Sequence, residues 1–217
     1  MAKINLERRA EIGQEKRART RAQLVAAAHS LFSMRSLAAV TVDDVVREAG
    51  VAKGTFYTHF DDMHALAAAV ADDLIASIDE LIQPQRTATA DPLLRIALGC
   101  NAFIEKAVED RVWASLVARM ARSDPTVGET ARSRLREDLQ QILERPSHPR
   151  VLVDVALEAA VGIVLQVVAA IGQGRLSADH REPAVGAVLG AIGVAKRETE
   201  ATLAKLAGSR RSIRRRG

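Results

Sequence analysis

Residues 41–60, TVDDVVREAGVAKGTFYTHF, contain the strongest structural signal in the chain. Thr41 precedes an apolar face at helical spacing, and two acidic residues follow it in the first turn, so the pattern predicts a helix with a side-chain N-cap. Gly50 stands where a left-handed C-terminal cap is expected, a conformation that glycine adopts without steric penalty. A second short helix is then predicted over 52–59. Two helices joined by a tight glycine turn have the length and geometry of a helix-turn-helix.

The second helix of this pair is unusual for a core element. Val51, Phe56 and Phe60 are spaced to point inward, whereas the other positions carry donors able to reach phosphates and base edges. A glycine on that outer face lets the backbone come near a duplex. The candidate DNA-binding residues of this helix are Lys53, Gly54, Thr55, Tyr57, Thr58 and His59.

The rest of the chain also has helical periodicity. Thr20, with Gln23 three residues later, is read as a capping box that begins the preceding helix. Asp61 or Asp62 can cap a fourth helix, which Pro84 is expected to end. About nine helices are predicted in all, and the remaining ones are expected near residues 92–108, 113–120, 125–143 (ended by Pro146 and Pro149), 151–172 and 183–207.

Length and composition agree with an all-α protein of one or two domains. The chain has 217 residues, of which 48% are hydrophobic and 27% charged, and only 3% are aromatic. Its single cysteine, Cys100, excludes an intrachain disulfide and suits a reducing compartment. No apolar run of signal-peptide length occurs in residues 1–15, so we expect a cytoplasmic protein. Residues 159–171 are apolar but too few and too interrupted to predict a membrane span.

Basic residues are concentrated at both ends of the chain. The formal net charge is +4, yet the two ends are strongly basic and the region between them is acidic. Such ends suit a polyanion partner, although two solvated, unfolded ends explain the charge equally well. The predicted organisation is a basic flexible arm (1–19), a helix-turn-helix domain (20–66), a helical effector-binding and dimerisation domain (67–207) and a basic tail (208–217).

The stretch from Thr20 to Leu66 resembles the DNA-binding domain of the TetR (tetracycline-repressor-like) family of regulators. The resemblance rests on TRAQLVAAAHSLF, on TVDDVVREAGVAKGTFYTHF and on DDMHAL, in family order. It implies that Thr41 approaches a phosphate and that Tyr57 contacts one, while the other positions of the second helix touch bases or backbone. Met63 stands where the family commonly has lysine, so we expect the arm residues Arg17, Arg19 and Arg21 to supply a compensating contact.

Beyond residue 66 the resemblance implies a helical domain that binds a small molecule and dimerises through its last two long helices. Small residues on those helices, Gly162 among them, allow close approach, and we expect the dimer interface at Ala156, Ala160, Gly186, Gly190 and Gly193. Ordinary packing within one chain is the alternative. The candidate ligand pocket consists of Cys100, Phe103, Trp113, Leu116, Met120 and Gln166, although core packing explains the apolar members as well.

The predicted function is a sequence-specific, homodimeric transcriptional regulator that binds a near-palindromic DNA operator. It is expected to act as a repressor that a small-molecule effector releases. We expect no catalytic residues, no cofactor and no metal site, because no histidine pair has ligand spacing on one helical face and no nucleophile or phosphate-binding motif occurs. The alternative is a helical dimeric adaptor with a degenerate helix-turn-helix and no specific DNA target.

Overall fold

The computed structural model describes residues 2–124, 126–144 and 152–214, and within these ranges it contains ten α-helices, two short 3₁₀ turns and no strand. The all-α prediction is confirmed. Contacts divide the chain into two compact units, residues 1–70 and residues 71–217. Pro125, Pro146, Pro149 and the last three residues of the predicted basic tail lie outside the described ranges.

The first unit contains four helices: α1 (Ala2–Met34), α2 (Val42–Ala49), α3 (Lys53–Tyr57) and the beginning of α4 (Met63–Thr87). The rest of α4 belongs to the second unit. The second unit contains six more: α5 (Pro92–Glu109), α6 (Arg111–Ser123), α7 (Glu129–Leu143), α8 (Val153–Gly172), α9 (Arg181–Ala191) and α10 (Lys196–Arg214).

The first unit is built around a small apolar core. Leu24 of α1, Val45 of α2 and Phe56 of α3 are completely buried, and Phe32 and Phe60 are nearly so. Helix α2 packs against both α1 and α3. Two of the three inward positions predicted for the second helix, Phe56 and Phe60, therefore hold it on the unit, whereas Val51 is half-buried.

The start of α1 differs from the prediction. No capping box forms at Thr20, because α1 already begins at Ala2 and the Thr20 hydroxyl donates to the carbonyl oxygen of Lys16 at 3.0 Å. Residues 2–19, expected to be a flexible arm, are the first turns of this helix. Polar and charged residues with good helix propensity dominate this segment, which allows an exposed helix to extend.

Two further helix ends differ from expectation. Pro84 lies inside α4 rather than ending it, and the amide of Ala88 donates to the Pro84 carbonyl at 3.3 Å. The helix predicted over 183–207 is two helices, α9 and α10, because Gly193 takes a left-handed φ of +87° between them. This break raises the count from nine helices to ten. Likewise α7 begins at Glu129 rather than at residue 125, after Gly128 with φ +80°.

Helix α8 is the centre of the second unit and contacts α5, α6, α7 and α9. At its end it lies very close to α6: a Cβ built on Gly172 would be 2.8 Å from Oγ and 3.2 Å from the backbone nitrogen of Ser115. By length and composition alone, α8 could cross a membrane, but an apolar helix in the core of a soluble protein passes the same test. Its buried side and its many helix neighbours make α8 the central element of this unit.

Candidate DNA-binding helix and ligand cavity

Helix α2 is fixed at both ends by the local interactions that its sequence predicts. The Thr41 hydroxyl oxygen accepts a hydrogen bond from the Asp44 amide at 3.2 Å, and the Thr41 amide donates to Asp44 Oδ2 at 3.1 Å, which completes a capping box. The Thr41 hydroxyl and backbone donors, together with the charge of Arg47, hold the pKa of Asp44 below its usual value. At the other end Gly50 takes a φ of +67°. The direction in which the chain enters α3 is therefore set locally.

Helix α3 has a buried side and an open side. Phe56 is fully buried, and its ring makes an edge contact with Tyr57 (5.2 Å between centroids) and a tilted contact with Phe60 (6.0 Å). Tyr57 is nevertheless 53% exposed, so one side of its ring contacts Phe56 while the rest of the side chain is accessible to solvent. Among the other predicted contact residues, Lys53, Gly54 and Thr58 are exposed, and Thr55 and His59 are half-buried.

Gly54 has no packing reason within its own unit. A Cβ built there would meet nothing within 4 Å, although glycine inside a helix costs about 1 kcal/mol relative to alanine. The packing of the chain therefore does not require a glycine at this position.

Lys53 is held by an exposed ion pair. Its Nζ lies 2.9 Å from Asp43 Oδ1, and this hydrogen bond and the Asp43 charge raise the pKa of the lysine. The lysine is therefore charged at neutral pH. It also has an acidic competitor for any phosphate that it contacts.

The three arginines predicted to assist are all exposed on α1, but they are not equivalent. The Arg21 guanidinium carbon lies 5.2 Å from the centre of the Phe60 ring. This cation–π geometry places the Arg21 side chain against a core residue of the first unit. No such contact holds Arg17 or Arg19 in the described part of the chain. Met63, at the start of α4, is half-buried and carries no charge, as the sequence indicated.

The second unit contains a cavity of about 110 Å³. Four residues of α4, spaced at helical intervals, form one wall: Ile75, Asp79, Ile82 and Arg86. Helix α5 supplies Ile96, Gly99, Cys100 and Phe103, and the opposite side comes mainly from α7 and α8.

The predicted pocket is partly wrong. Cys100 and Phe103 do line the cavity, whereas Trp113, Leu116 and Met120 are buried core residues that do not, and Gln166 is exposed on α8. The Trp113 ring lies behind Phe103, at 6.1 Å between centroids.

Sequence reasoning missed the charged residues of this cavity. Asp79, Arg86 and Arg132 all line it, and the first two interrupt the apolar stripe of α4 at helical spacing. A charged residue on the buried stripe of an amphipathic helix is the signal that could have identified them.

Burial makes Cys100 unreactive. Loss of water around the thiol raises its pKa from the usual 9.0 to about 12, and this outweighs its own backbone hydrogen bond and the charge of Arg86. The thiolate population at neutral or mildly alkaline pH then falls about a thousandfold. We expect Ellman's reagent at pH 8 to leave the native protein unlabelled and to label one thiol per chain in urea. Rapid labelling without denaturant would contradict this environment.

The predicted dimer interface is partly wrong too. Ala156 and Ala160 are completely buried within the chain, so they pack against neighbouring helices of the same unit. A Cβ on Gly186 would lie 3.6 Å from Leu203 of α10, and Gly193 forms the turn before α10. Only Gly190 is exposed, with open space around it.

The open stripe of α8 is rotated by about one position from Ala156 and Ala160, and of the small residues singled out on this helix only Gly162 lies on it. Val155, Gly162 and Gln166 are exposed along it, and Ala159 is half-buried between them. Small residues of α9 are exposed as well, among them Ala187, Gly190 and Ala191. These residues define what we call the small-residue face.

No group of three histidine, cysteine, aspartate or glutamate residues that could hold a metal ion occurs in residues 2–124, 126–144 and 152–214.

Comparison with known proteins identifies the first unit. The family model described as bacterial regulatory proteins, tetR family, matches residues 24–70. The HTH-type transcriptional regulator TtgR of Pseudomonas putida is 35% identical over 81 residues, which are 37% of this chain and 39% of that relative. The chain thus matches well under half the length of this relative.

Solved structures extend the similarity to both units. The structure of RolR in complex with resorcinol has a TM-score of 0.73 and 27% identity, covering 88% of this chain and 95% of that one. A TetR transcriptional regulator from Rhodococcus sp. RHA1 shares the fold, with a TM-score of 0.64, 20% identity and coverage of 80% and 96%. The helix-turn-helix geometry, the matching family model and these relatives together identify residues 24–70 as a DNA-binding domain of the kind found in the tetR family of bacterial regulatory proteins.

Proposed function

We propose that this protein is a homodimeric, sequence-specific DNA-binding transcriptional regulator, and that it represses its target until a small molecule fills the cavity of its second unit. The observation that carries the proposal is the outer face of α3. This face is polar and includes a glycine with no internal packing role. The opposite side of the helix is fixed to the unit by the fully buried Phe56. Such a face is suited to the major groove, where side-chain donors meet base edges and phosphates.

A dimer would place two α3 helices on successive turns of one face of the duplex, about 34–36 Å apart, and would favour a near-palindromic operator. Thr41, at the exposed N-terminus of α2, is positioned to approach a phosphate, because helix N-termini attract anions.

A gel-shift titration over a series of salt concentrations tests this function. The expected result is steep salt dependence together with preference for one palindrome selected from a random duplex pool. Weak binding without sequence preference would favour the adaptor alternative.

Arg17 and Arg19, which lie on α1, should strengthen operator binding by contacts additional to those of α3. They are exposed on α1, and an arginine can reach adjacent backbone or the minor groove. We expect charge reversal of both residues to lower operator affinity and to flatten its salt dependence, because fewer counterions are released. An unchanged affinity and salt slope would refute this role.

The small-residue face is the proposed dimer interface. Apart from Gln166 its residues are apolar, it lies on two adjacent helices, and its glycines allow backbones to approach closely. We expect Gly162→Trp to convert the dimer to a monomer, because a Cβ at this exposed position meets nothing within the chain and the indole would occupy the space proposed for the second subunit. Sedimentation velocity checks this.

The matched control is Glu137→Trp, which adds the same bulk on the exposed side of α7. If Gly162→Trp remains a dimer like the control, the interface lies elsewhere.

The effector is proposed to be a small, mostly apolar molecule, in agreement with the size and walls of the cavity and with the resorcinol held by RolR. To release DNA, it must bind the off-operator state more tightly, by about 1–3 kcal/mol for usual allosteric couplings. The protein is proposed to work in the cytoplasm, where its DNA target is, and to have no catalytic activity of its own.

A further inference from the structure

Asp79 is a buried carboxylate in the wall of the cavity, and the packing of the chain supplies a partner for only one of its two oxygens. It lies between Ile75 and Ile82 in the α4 wall and is only 4% exposed. Removing an ionised carboxylate from water is costly unless hydrogen bonds and opposite charge replace the water. The partners of this carboxylate therefore indicate what the cavity is built to hold.

Asp79 has one partner and a spare acceptor. Its Oδ2 pairs with Nη1 of Arg134 on α7. Its Oδ1 receives no hydrogen bond from any residue in the described ranges, although an ionised carboxylate can accept about four. A carboxylate that lines a cavity and keeps an unfilled acceptor favours a ligand that donates a hydrogen bond.

The cations of the wall are already occupied. Arg86 donates from Nη2 to Asp138 at 2.8 Å and from Nη1 to the Arg95 carbonyl at 3.1 Å. Arg132 pairs with Glu158 of α8. An anionic ligand would have to displace these partners and approach Asp79, whereas a neutral donor would not. A cationic ligand would be repelled by the guanidinium groups of Arg86 and Arg132, which line the same cavity.

The remaining, apolar wall residues determine the size and polarity of the part of the ligand that carries the donor group. Ile82, Ile96, Phe103, Leu135 and Val164 surround a volume of about 110 Å³. An apolar cavity of about 150 Å³ holds one benzene molecule, so a space of about 110 Å³ has room for no more than a single ring. Phe103 offers the ring edge or face that aromatic pairs prefer.

We propose that Asp79 selects the effector by accepting a hydrogen bond from a hydroxyl group of a neutral, single-ring compound of the phenol class. The inference rests on the proposed function only in treating the cavity as the effector site. Asp79 is a specificity-determining residue here: it distinguishes a hydroxyl from an ether or a carboxylate on the same ring.

The test compares matched ligands on the unaltered full-length chain by isothermal titration calorimetry. The probes are 1,3-dihydroxybenzene, 1,3-dimethoxybenzene, which has no donor, and 3-hydroxybenzoate, which adds a negative charge. We expect the dihydroxy compound to bind at least about tenfold more tightly than either of the others, because a hydrogen bond to a charged group is worth about 1.5 kcal/mol or more. Equal binding of the dimethoxy compound, or no binding of any of the three, would overturn the proposal.

Asp79→Asn, checked for folding by thermal melting, tests the residue itself. We expect it to reduce the preference for hydroxyl over ether to within about threefold, since the charge that strengthens the hydrogen bond is lost. Asp73→Asn, on the exposed side of the same helix, is the matched control and should keep the full preference. If Asp79→Asn folds and keeps it as well, Asp79 does not select the ligand.

The ligand comparison with the unaltered protein does not depend on whether the variant folds. It is also separate from DNA binding. A protein that discriminates among these ligands but shows no operator preference in the gel shift would disprove the proposed function and leave the role of Asp79 intact.

Discussion

Replacing Asp138 with alanine is expected to destabilise the second unit by about 3–5 kcal/mol, because it leaves two largely buried arginines without their counter-charge. Asp138 is 3% exposed on α7. Arg95 donates from Nε to its Oδ1 at 2.6 Å, and Arg86 donates to its Oδ2 at 2.8 Å. One carboxylate therefore joins the end of α4, the start of α5 and the middle of α7.

The measurement is urea unfolding followed by the fluorescence of Trp113. This is the chain's single tryptophan, and it lies buried in the same unit. Protein concentration must be held constant, because the proposed dimerisation would contribute to the apparent stability.

Asp154→Ala is the matched control. It removes the carboxylate that pairs with Arg136, also on α7, but at a site where the Asp154 side chain is 79% exposed. Exposed pairs contribute about 0–1 kcal/mol, so this variant should lose far less stability. If the two variants lose the same amount, the buried network does not stabilise the unit as described.

The second large effect is expected at α3. Lys53→Ala and Tyr57→Phe should each lower operator affinity by about tenfold, because a hydrogen bond to a charged phosphate contributes about 1.5 kcal/mol or more. The lysine variant should also reduce the salt slope by about one. The tyrosine variant keeps the ring and its 5.2 Å edge contact with Phe56, so folding is preserved and only the hydroxyl is lost.

These affinities are measured by fluorescence anisotropy on a duplex operator selected by the unaltered protein, with sedimentation velocity to confirm that both variants remain dimers. A third variant, Asp43→Asn, is expected to change operator affinity in the opposite direction. It frees Lys53 from its 2.9 Å ion pair and removes a negative charge beside the DNA, so affinity should rise. If all three variants bind equally well, α3 is not the helix that enters the groove.

Much of the first unit could be predicted from the sequence because its signals are local. The Thr41 cap and the Gly50 turn each depend on residues within a few positions of one another, and both occur as predicted. Asp62, which caps the start of α4, is of the same kind. The capping box at Thr20 failed because an equally local preference, helix propensity over residues 2–19, continues the helix through it.

The second unit was less predictable because its decisive contacts join distant parts of the chain. The pairs of Asp138 span 43 and 52 residues, and no local pattern indicates which arginines meet it. The helical spacing of residues in the sequence showed that α8 has small residues that share a face. It did not show that Ala156 and Ala160 face α8's own neighbours while Gly162 faces outward.

The sequence by itself determined an all-α chain with a helix-turn-helix whose polar side is free, since caps, a glycine turn and inward phenylalanines act over a few residues. Only the tertiary structure decided which face of each long helix is covered, where the cavity lies and which charges line it. The physical reason is that helical spacing fixes which side chains share a face, whereas the packing of other helices decides whether that face meets the core, a ligand or open solvent.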